Sequence, residues 1–432
     1  MLVASENRGE AKVLTLGALL ALSVRLVGAL SVFFMNLVVG RMLGVEESGY
    51  FFLAFAIAVF LGTISRCGFS NVILKITSSA APVQQWGVVS SVFWKSIFFS
   101  GCFSVFVFLC VLLFSRILSV DFFSKPDIQS VLINIAPSIL FFSIYSLISM
   151  SLQGQRKIVG SVFVLNISSS FILAVFCIGF SVESAADAAY FYSLSTFITM
   201  LLGFSILLAS GCSKFSTVNS LPFSDIWKTA KPLWVVIIMN QVIQWSGQFI
   251  AGVYIEPDQV AQLAVAQRTA MLTSFVLVAI NLVVAPKFAL LYSMNDIAGL
   301  RRVAVLSVKL TIVAAMPIVA IMLVFPEFIM GFFGEEFSSG SIYLRILVLG
   351  QFVNVITGSV TYLLMMSGYE RDVRNILLLS APFCVFLGVL LTVFYGGTGS
   401  AVATAICVAG QNLFAVYFVK KRLGFNTLLI WK

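Results

Sequence analysis

The sequence predicts an all-α protein that crosses a membrane many times. Of its 432 residues, 60% are hydrophobic and only 10% are charged, and the mean hydropathy is +1.07. Soluble domains carry about 25% charged residues, so most of this chain belongs in an apolar medium. Windows of about twenty residues, the length that crosses a bilayer, find twelve apolar segments. We therefore predict twelve transmembrane helices.

The predicted spans follow one another with short polar connections. In the first half they are 13–39, 48–70, 88–114, 129–151, 158–180 and 188–210. In the second half they are 230–254, 260–285, 303–325, 342–366, 373–395 and 399–419. At about 1.5 Å per residue, each is long enough to cross the hydrocarbon layer.

The placement of Lys and Arg predicts the orientation. With the N-terminus inside, only Arg41, Arg116 and Lys125 fall in outer connections, while the inner connections are rich in cations. The positive-inside rule then places both termini in the cytoplasm. The cations of these inner loops explain the net charge of +9. We therefore expect membrane lipids, and no nucleic acid, as partners.

A polar, serine-rich connection divides the spans into two sets of six. It predicts a linker over 211–232 between an N-terminal six-helix lobe, 1–210, and a C-terminal six-helix lobe, 233–432, with Pro232 in the first turn of the next helix. The segment 44–54 (GVEESGYFFLA) resembles 255–265 (IEPDQVAQLAV) at an equivalent position of the second half. Two such repeats would place a substrate path between them.

Composition and motifs argue against metal, cofactor and enzymatic chemistry. The chain has no histidine, and its seven cysteines show no CxxC spacing. Nucleotide-binding glycine motifs are missing too. The sequence therefore predicts a protein without cofactor that is not an enzyme.

The first span carries the most informative residue. Arg25 lies near its middle, where a charge costs at least about 2.5–3.5 kcal/mol and normally faces a polar interior. Asn36 follows about 20° off the same helical face, with Gly28 and Val32 between them. This pattern predicts a helix that lines a water-filled, anion-attracting cavity.

Three further arginines lie in or near spans, and none has a carboxylate inside the membrane. All seventeen Asp and Glu residues fall in connections or at span ends. Arg268 lies about a third of the way into its span, so a cargo role is favoured. For Arg66, near a span end, snorkelling and cargo binding are equally good readings, and for Arg345 snorkelling is the better one. The missing counter-charge would be supplied by an anionic cargo.

Amides form a second polar set on helix faces. They are Asn240, Gln241, Gln244 and Gln248 in the seventh span, Gln267 and Asn281 in the eighth, and Gln351 and Asn354 in the tenth. Single amides commonly join helices by hydrogen bonds, whereas several on one face suit a hydroxyl-rich cargo such as a sugar. A cargo in which a phosphate is joined to a sugar would require arginines for the phosphate and, next to them, amides for the sugar.

The stretch Gly40 to Lys75, with its R-x-L-G pattern followed by a Gly-aromatic pair, resembles the first hairpin of Wzx-type O-antigen flippases. These belong to the polysaccharide-export branch of the multidrug/oligosaccharidyl-lipid/polysaccharide exporter superfamily. The stretch Ala264 to Phe288 is similar to its counterpart in the second half. The resemblance implies two six-helix bundles around a V-shaped central cavity that opens alternately to either side. It also implies that Arg25, Arg268 and, less directly, Arg66 are cavity cations.

The resemblance also implies a function. The cargo would be a polyprenyl-pyrophosphate-linked oligosaccharide, flipped from the cytoplasmic to the outer leaflet of a bacterial inner membrane for O-antigen or capsule synthesis. Partners would be a polysaccharide polymerase and a chain-length regulator. Alternatives remain. Drug exporters commonly have a carboxylate in the first span, where this chain has Arg25. Peptidoglycan-precursor flippases usually have fourteen spans, and a non-transporting subunit of an assembly complex would not need buried arginines.

Overall fold

The computed structural model describes residues 2–209 and 221–428, with side chains described from residue 23 onward except residue 282. Every regular element in these ranges is helical. This agrees with the all-α membrane architecture predicted from the sequence. Ten helical stretches are long and apolar enough to cross a membrane.

The first half contains eight α-helices and two π-helical segments. The α-helices are α1 Leu2–Ser65, α2 Phe69–Ala80, α3 Trp86–Arg116, α4 Ile128–Ile135, α5 Pro137–Gly154, α6 Ile158–Val162, α7 Ser168–Gly179 and α8 Ala185–Ala209. The π-helices are Ile117–Phe122 and Phe163–Ile167. The second π-helix joins α6 to α7 without interrupting the candidate span Ile158–Gly179.

The second half repeats long apolar helices with two internal breaks. Its α-helices are α9 Phe223–Tyr254, α10 Pro257–Met271, α11 Ser274–Ser293, α12 Ile297–Val324, α13 Pro326–Gly331, α14 Ser341–Thr357, α15 Val360–Met366 and α16 Glu370–Leu423. The predicted span 260–285 is thus divided between α10 and α11. Gly358, at φ 71°, divides the predicted span 342–366 between α14 and α15. Glycine adopts this left-handed conformation without steric penalty.

The two longest candidate spans each contain one non-helical glycine. Gly44 (φ 73°, ψ −179°) interrupts Ser23–Ser65, and Gly396 (φ 59°, ψ −139°) interrupts Glu370–Leu423. The connection between the first two predicted spans, 40–47, is therefore helical apart from a sharp break at Gly44. A single glycine changes the chain direction here because it can adopt a positive φ.

The start of the second half differs from the predicted linker. Residues 210–220, which include the first part of that linker, lie outside the described residues. Helix α9 begins at Phe223, after Pro222, and Pro232 lies inside it. The prediction that Pro232 opens the helix is wrong, because Pro222 already precedes the first turn. A proline inside a membrane helix is tolerated where neighbouring groups satisfy the backbone.

One hydrophobic core joins both halves at the end of the molecule that holds Gly44. Here Phe51 and Leu53 of α1 are buried with Val260 of α10 and Leu344 of α14. The approach is close: a Cβ atom added to Gly49 would lie 1.9 Å from the carbonyl oxygen of Pro257. We call this region the closed end.

Polar contacts also cross between the halves at the closed end. Lys125 Nζ donates to the carbonyls of Gly252 and Ile255, at 2.6 and 2.8 Å. Arg41 Nε donates to the carbonyl of Phe332 at 2.7 Å. Burial lowers the pKa of Lys125, and Glu256 opposes that shift. Toward the opposite end each half has its own core, although Ile226 and Ala230 of α9 pack into that of the first half.

Candidate functional site

A cavity of about 430 Å³, here called the cation cavity, lies between the two halves. Arg25 and Asn36 of α1 line it, together with Arg268 of α10. Gly28 and Val32, which the sequence places on the same face of the first span, line it as well. The helical periodicity of one span therefore aims a cation and an amide into one space.

Arg25 is half-buried on the wall of this cavity. Across from it, the π-helix Phe163–Ile167 presents Asn166. A Cβ atom on Gly28 would lie 2.9 Å from the Cβ of Asn166, so glycine permits this close approach of the two helices. A π-helical turn commonly marks a functional site because it redirects side chains within a helix.

Arg268 is held by residues of the other half. Its Nη1 donates to Oδ1 of Asn36. Its guanidinium carbon lies 4.4 Å from the ring centroid of Phe52 and 4.8 Å from that of Phe55. Cation–π contacts of this kind stabilise a desolvated arginine by about 0.5–2 kcal/mol. Its Nη2 is buried and has no hydrogen-bond partner among the described residues.

A second cavity of about 540 Å³, here called the amide cavity, lies within the second half. Six of the predicted amides line it: Asn240, Gln244, Gln267, Asn281, Gln351 and Asn354. The two cavities adjoin, because Met271, Phe275 and Val278 around the α10–α11 break line both.

Hydrogen bonds hold part of the amide cavity in a fixed arrangement. Ser274 Oγ donates to Oε1 of Gln351 at 2.7 Å, and Nδ2 of Asn354 lies 3.3 Å from both of these oxygen atoms. Nε2 of Gln267 donates to the carbonyl of Gln244 at 3.1 Å. In contrast, Oδ1 of Asn281 is buried without a hydrogen-bond partner among the described residues. An unpaired buried acceptor of this kind suits a donor from a ligand.

Three predicted site residues line neither cavity. Arg66 lies in the turn after α1, with its guanidinium carbon 5.5 Å from the ring centroid of Phe142. Gln248 is buried and donates to the carbonyl of Phe52 at 2.8 Å, so it joins the two halves. Gln241 accepts a hydrogen bond from Nε1 of Trp245 at 2.8 Å. The positions of Gln241 and Gln248 on their helical face do not distinguish them, as packing residues, from the amides that line the cavity.

The structure adds four amide residues that the sequence reasoning missed. Gln153 and Asn166 line the cation cavity, and Gln411 and Asn412 line the amide cavity. Each stands in or beside an otherwise apolar span. Asn166, isolated in the fifth predicted span, and the adjacent pair 411–412 in the last span were detectable by the same criterion used for the other amides.

The electrostatics of the cation cavity favour an anion. Two guanidinium groups line it, and no Asp or Glu is among the described residues that line either cavity. An arginine presents a planar fork of donors that matches phosphate oxygens. The free donor of Arg268 would gain a partner from such a ligand. The amide cavity offers neutral donors and acceptors beside it.

Two sequence-family models match this chain. The sequence model of the family described as "Polysaccharide biosynthesis protein" matches residues 14–291, and that of the MatE family matches residues 232–390. The probable low-salt glycan biosynthesis flippase Agl15 of Haloferax volcanii is 28% identical over 251 residues, which is 55% of this chain. The chain spans about half the length of this curated relative.

Solved membrane transporters share the fold. An inward-facing multidrug-resistance MATE transporter of the MOP superfamily is 14% identical, with a TM-score of 0.76 over 91% of this chain and 94% of that one. The lipid II flippase MurJ, in an inward closed conformation, is 16% identical, with a TM-score of 0.72 over 93% of this chain and 87% of that one. Identities this low establish a common fold only.

Proposed function

The chain belongs to the polysaccharide biosynthesis protein family, and from this premise we propose that it flips a polyprenyl-pyrophosphate-linked oligosaccharide across a membrane. The single observation that carries the proposal is the cation cavity. Arg25 and Arg268 line it, and no carboxylate is present among its described lining residues. The pyrophosphate would supply the missing negative charge.

The division between the two cavities supports separate binding of the two polar parts of this cargo. Arg25 and Arg268, with Asn36 beside them, would hold the pyrophosphate. Asn240, Gln244, Gln267, Asn281, Gln351 and Asn354 would bind sugar hydroxyls. Because both cavities share the wall at the α10–α11 break, a pyrophosphate and its first sugars would span them without a gap.

The topology proposed for this function has twelve spans, with both termini in the cytoplasm. Dividing the two longest candidate spans at Gly44 and Gly396 turns ten helical stretches into twelve. The lobes would be 1–210 and 233–432, and the connection between them, 211–232, would include the first turns of α9. In this orientation the closed end faces outward, and the cation cavity would load from the cytoplasmic leaflet. Alternating access would require the contacts at the closed end to break.

The proposed setting is the inner membrane of a bacterium, where the exported unit would be built into O-antigen or capsule with a polymerase and a chain-length regulator. Two alternatives are an ion-coupled exporter of drugs or other solutes and a non-transporting assembly subunit. The two arginines of the cation cavity would repel a cationic drug, which argues against a drug exporter. The cation cavity between the packed lobes, with the amide cavity adjoining it, favours transport over the non-transporting subunit.

A reconstituted flipping assay with a controlled membrane potential tests the proposal. Moving an anion toward the positive side is favourable by about 2.3 kcal/mol per charge per 100 mV. We expect proteoliposomes to move a prenyl-pyrophosphate-linked oligosaccharide faster when the acceptor side is positive. A glycolipid with the same glycan but no phosphate should show no such acceleration. An unchanged rate after the potential is collapsed with an ionophore would contradict a potential-driven mechanism.

Replacing Asn281 by leucine should weaken recognition of the glycan. The variant removes the unpaired Oδ1 acceptor and keeps the branched heavy-atom skeleton of the side chain, and one hydrogen bond contributes about 0.5–1.5 kcal/mol. We expect about 2- to 12-fold weaker binding of the glycan-bearing lipid, measured in nanodiscs, and unchanged binding of bare geranylgeranyl pyrophosphate. The control is Gln241→Leu, which removes an amide that lines neither cavity. Equal losses for both lipids would argue against a glycan site here.

A further inference from the structure

A third cavity, of about 700 Å³, lies outside the transport path at the start of α12 and the end of α16. Arg301, Arg302 and Lys309 of α12 line it, and we call it the basic groove. It shares no lining residue with the cation cavity or the amide cavity.

The cations of the basic groove lie on one side of α12. Arg302 and Lys309 are two helical turns apart, with Val305 and Leu306 between them on the same face. All three cationic side chains are exposed.

The opposite wall is formed by the turn that ends α16. Gly424 caps this helix in the left-handed conformation, at φ 77°, which allows the chain to reverse direction. The turn brings Phe425, which is 6% exposed, against the groove beside Leu423. The site is therefore concave and has a fixed apolar wall.

Nearby carboxylates are already engaged elsewhere. Asp296 accepts from the backbone N–H of Gly299 at 2.7 Å and caps α12. Asp372 accepts two hydrogen bonds from Arg422, at 2.7 and 3.1 Å. Among the described residues that line the groove, none is acidic. Three cations without a carboxylate among its described lining residues give the groove a positive potential.

An apolar surface continues from the groove along α12. Leu306, Leu310 and Val313 are 56, 53 and 73% exposed. Arg301 and Val313 are roughly 18 Å apart along the helix axis at 1.5 Å per residue. A cationic head region followed by an exposed hydrocarbon-facing region matches the layout of a phospholipid, whereas a soluble phosphate would use only the first part.

We propose that the basic groove binds the phosphate-containing headgroup of an anionic phospholipid, with its acyl chains along α12. Basic pockets between membrane helices bind such headgroups by charge-assisted hydrogen bonds. The general enrichment of cations at one membrane surface does not account for the groove, because it requires no concave arrangement. Arg371, Arg374 and Lys420 are likewise exposed but do not line it, and they provide a matched control.

The test compares lipid retention by the full-length protein. The groove variant is Arg301→Gln, Arg302→Gln, Lys309→Gln, and the control variant is Arg371→Gln, Arg374→Gln, Lys420→Gln. Native mass spectrometry after detergent delipidation counts bound phosphatidylglycerol during titration, with phosphatidylcholine as the zwitterionic probe. We expect the wild type and the control to retain one phosphatidylglycerol that the groove variant binds at least tenfold more weakly.

Melting temperatures provide a second measurement, which can be made on the wild type alone. The wild type should be stabilised by phosphatidylglycerol more than by phosphatidylcholine, and inorganic phosphate at millimolar concentration should give no comparable shift. Equal stabilisation by inorganic phosphate would indicate a soluble-anion site and overturn the lipid assignment. Equal retention of phosphatidylglycerol by the groove variant would also overturn it. If that variant fails to fold, the melting temperatures of the wild type with the three probes still distinguish an anionic-lipid site from a soluble-anion site.

Discussion

Replacement of Arg25 by alanine should nearly abolish binding of a prenyl pyrophosphate while leaving the protein folded in the membrane. Arg25 lines the cation cavity, and no hydrogen bond or ion pair joins it to another described residue. Its loss therefore removes a cation without leaving a buried partner unpaired. A hydrogen bond to a charged group contributes about 1.5–3 kcal/mol, which corresponds to roughly 10- to 150-fold in Kd.

The measurement is binding of geranylgeranyl pyrophosphate to protein in nanodiscs, with geranylgeraniol as the uncharged probe. Arg25→Lys should fall between wild type and alanine, because it keeps the charge and loses the bidentate fork. Arg345→Ala, which removes an exposed arginine outside both cavities, should bind like the wild type. Unchanged binding by Arg25→Ala would remove this residue from the proposed mechanism.

Replacement of Gly49 by alanine should strongly destabilise the closed end. The added Cβ would lie 1.9 Å from the carbonyl oxygen and 2.6 Å from the carbonyl carbon of Pro257, so backbone must move. Overpacking of this kind costs about 1–3 kcal/mol or more. We expect a lower melting temperature in detergent and separation of α1 from the start of α10.

Gly101→Ala is the matched control, because a Cβ at Gly101 in α3 meets no atom within 4 Å. It should be neutral or stabilise the protein, by up to about 1 kcal/mol, since alanine favours helix. A Gly49→Ala variant that melts at or above the wild-type temperature would show that the two halves do not need this close contact.

Much of the architecture was predictable because the membrane imposes it. Apolar length predicts helices, and one helical face of the first span carries Arg25, Gly28, Val32 and Asn36, all of which line the cation cavity. The roles of single residues that the sequence did not reveal depend on contacts with residues far away in the chain. Gln248 and Gln244 are alike in the sequence, yet Gln248 binds the carbonyl of Phe52 and Gln244 lines the amide cavity.

The periodicity of the sequence also does not predict local irregularities of the backbone. The π-helical turn that presents Asn166 inserts an irregular register that a regular helical wheel cannot represent. The pairing of Arg268 with Asn36, Phe52 and Phe55 joins residues more than two hundred positions apart. Only the packing of the two halves determines which side chains meet there.

A cryo-EM structure of the protein in nanodiscs with geranylgeranyl pyrophosphate tests most directly whether the cation cavity binds a pyrophosphate. We expect the pyrophosphate in the cation cavity, within hydrogen-bonding distance of the guanidinium groups of both Arg25 and Arg268, with Nη2 of Arg268 now paired. A pyrophosphate bound elsewhere, with both arginines arranged as they are without it, would show that Arg25 and Arg268 do not hold the cargo.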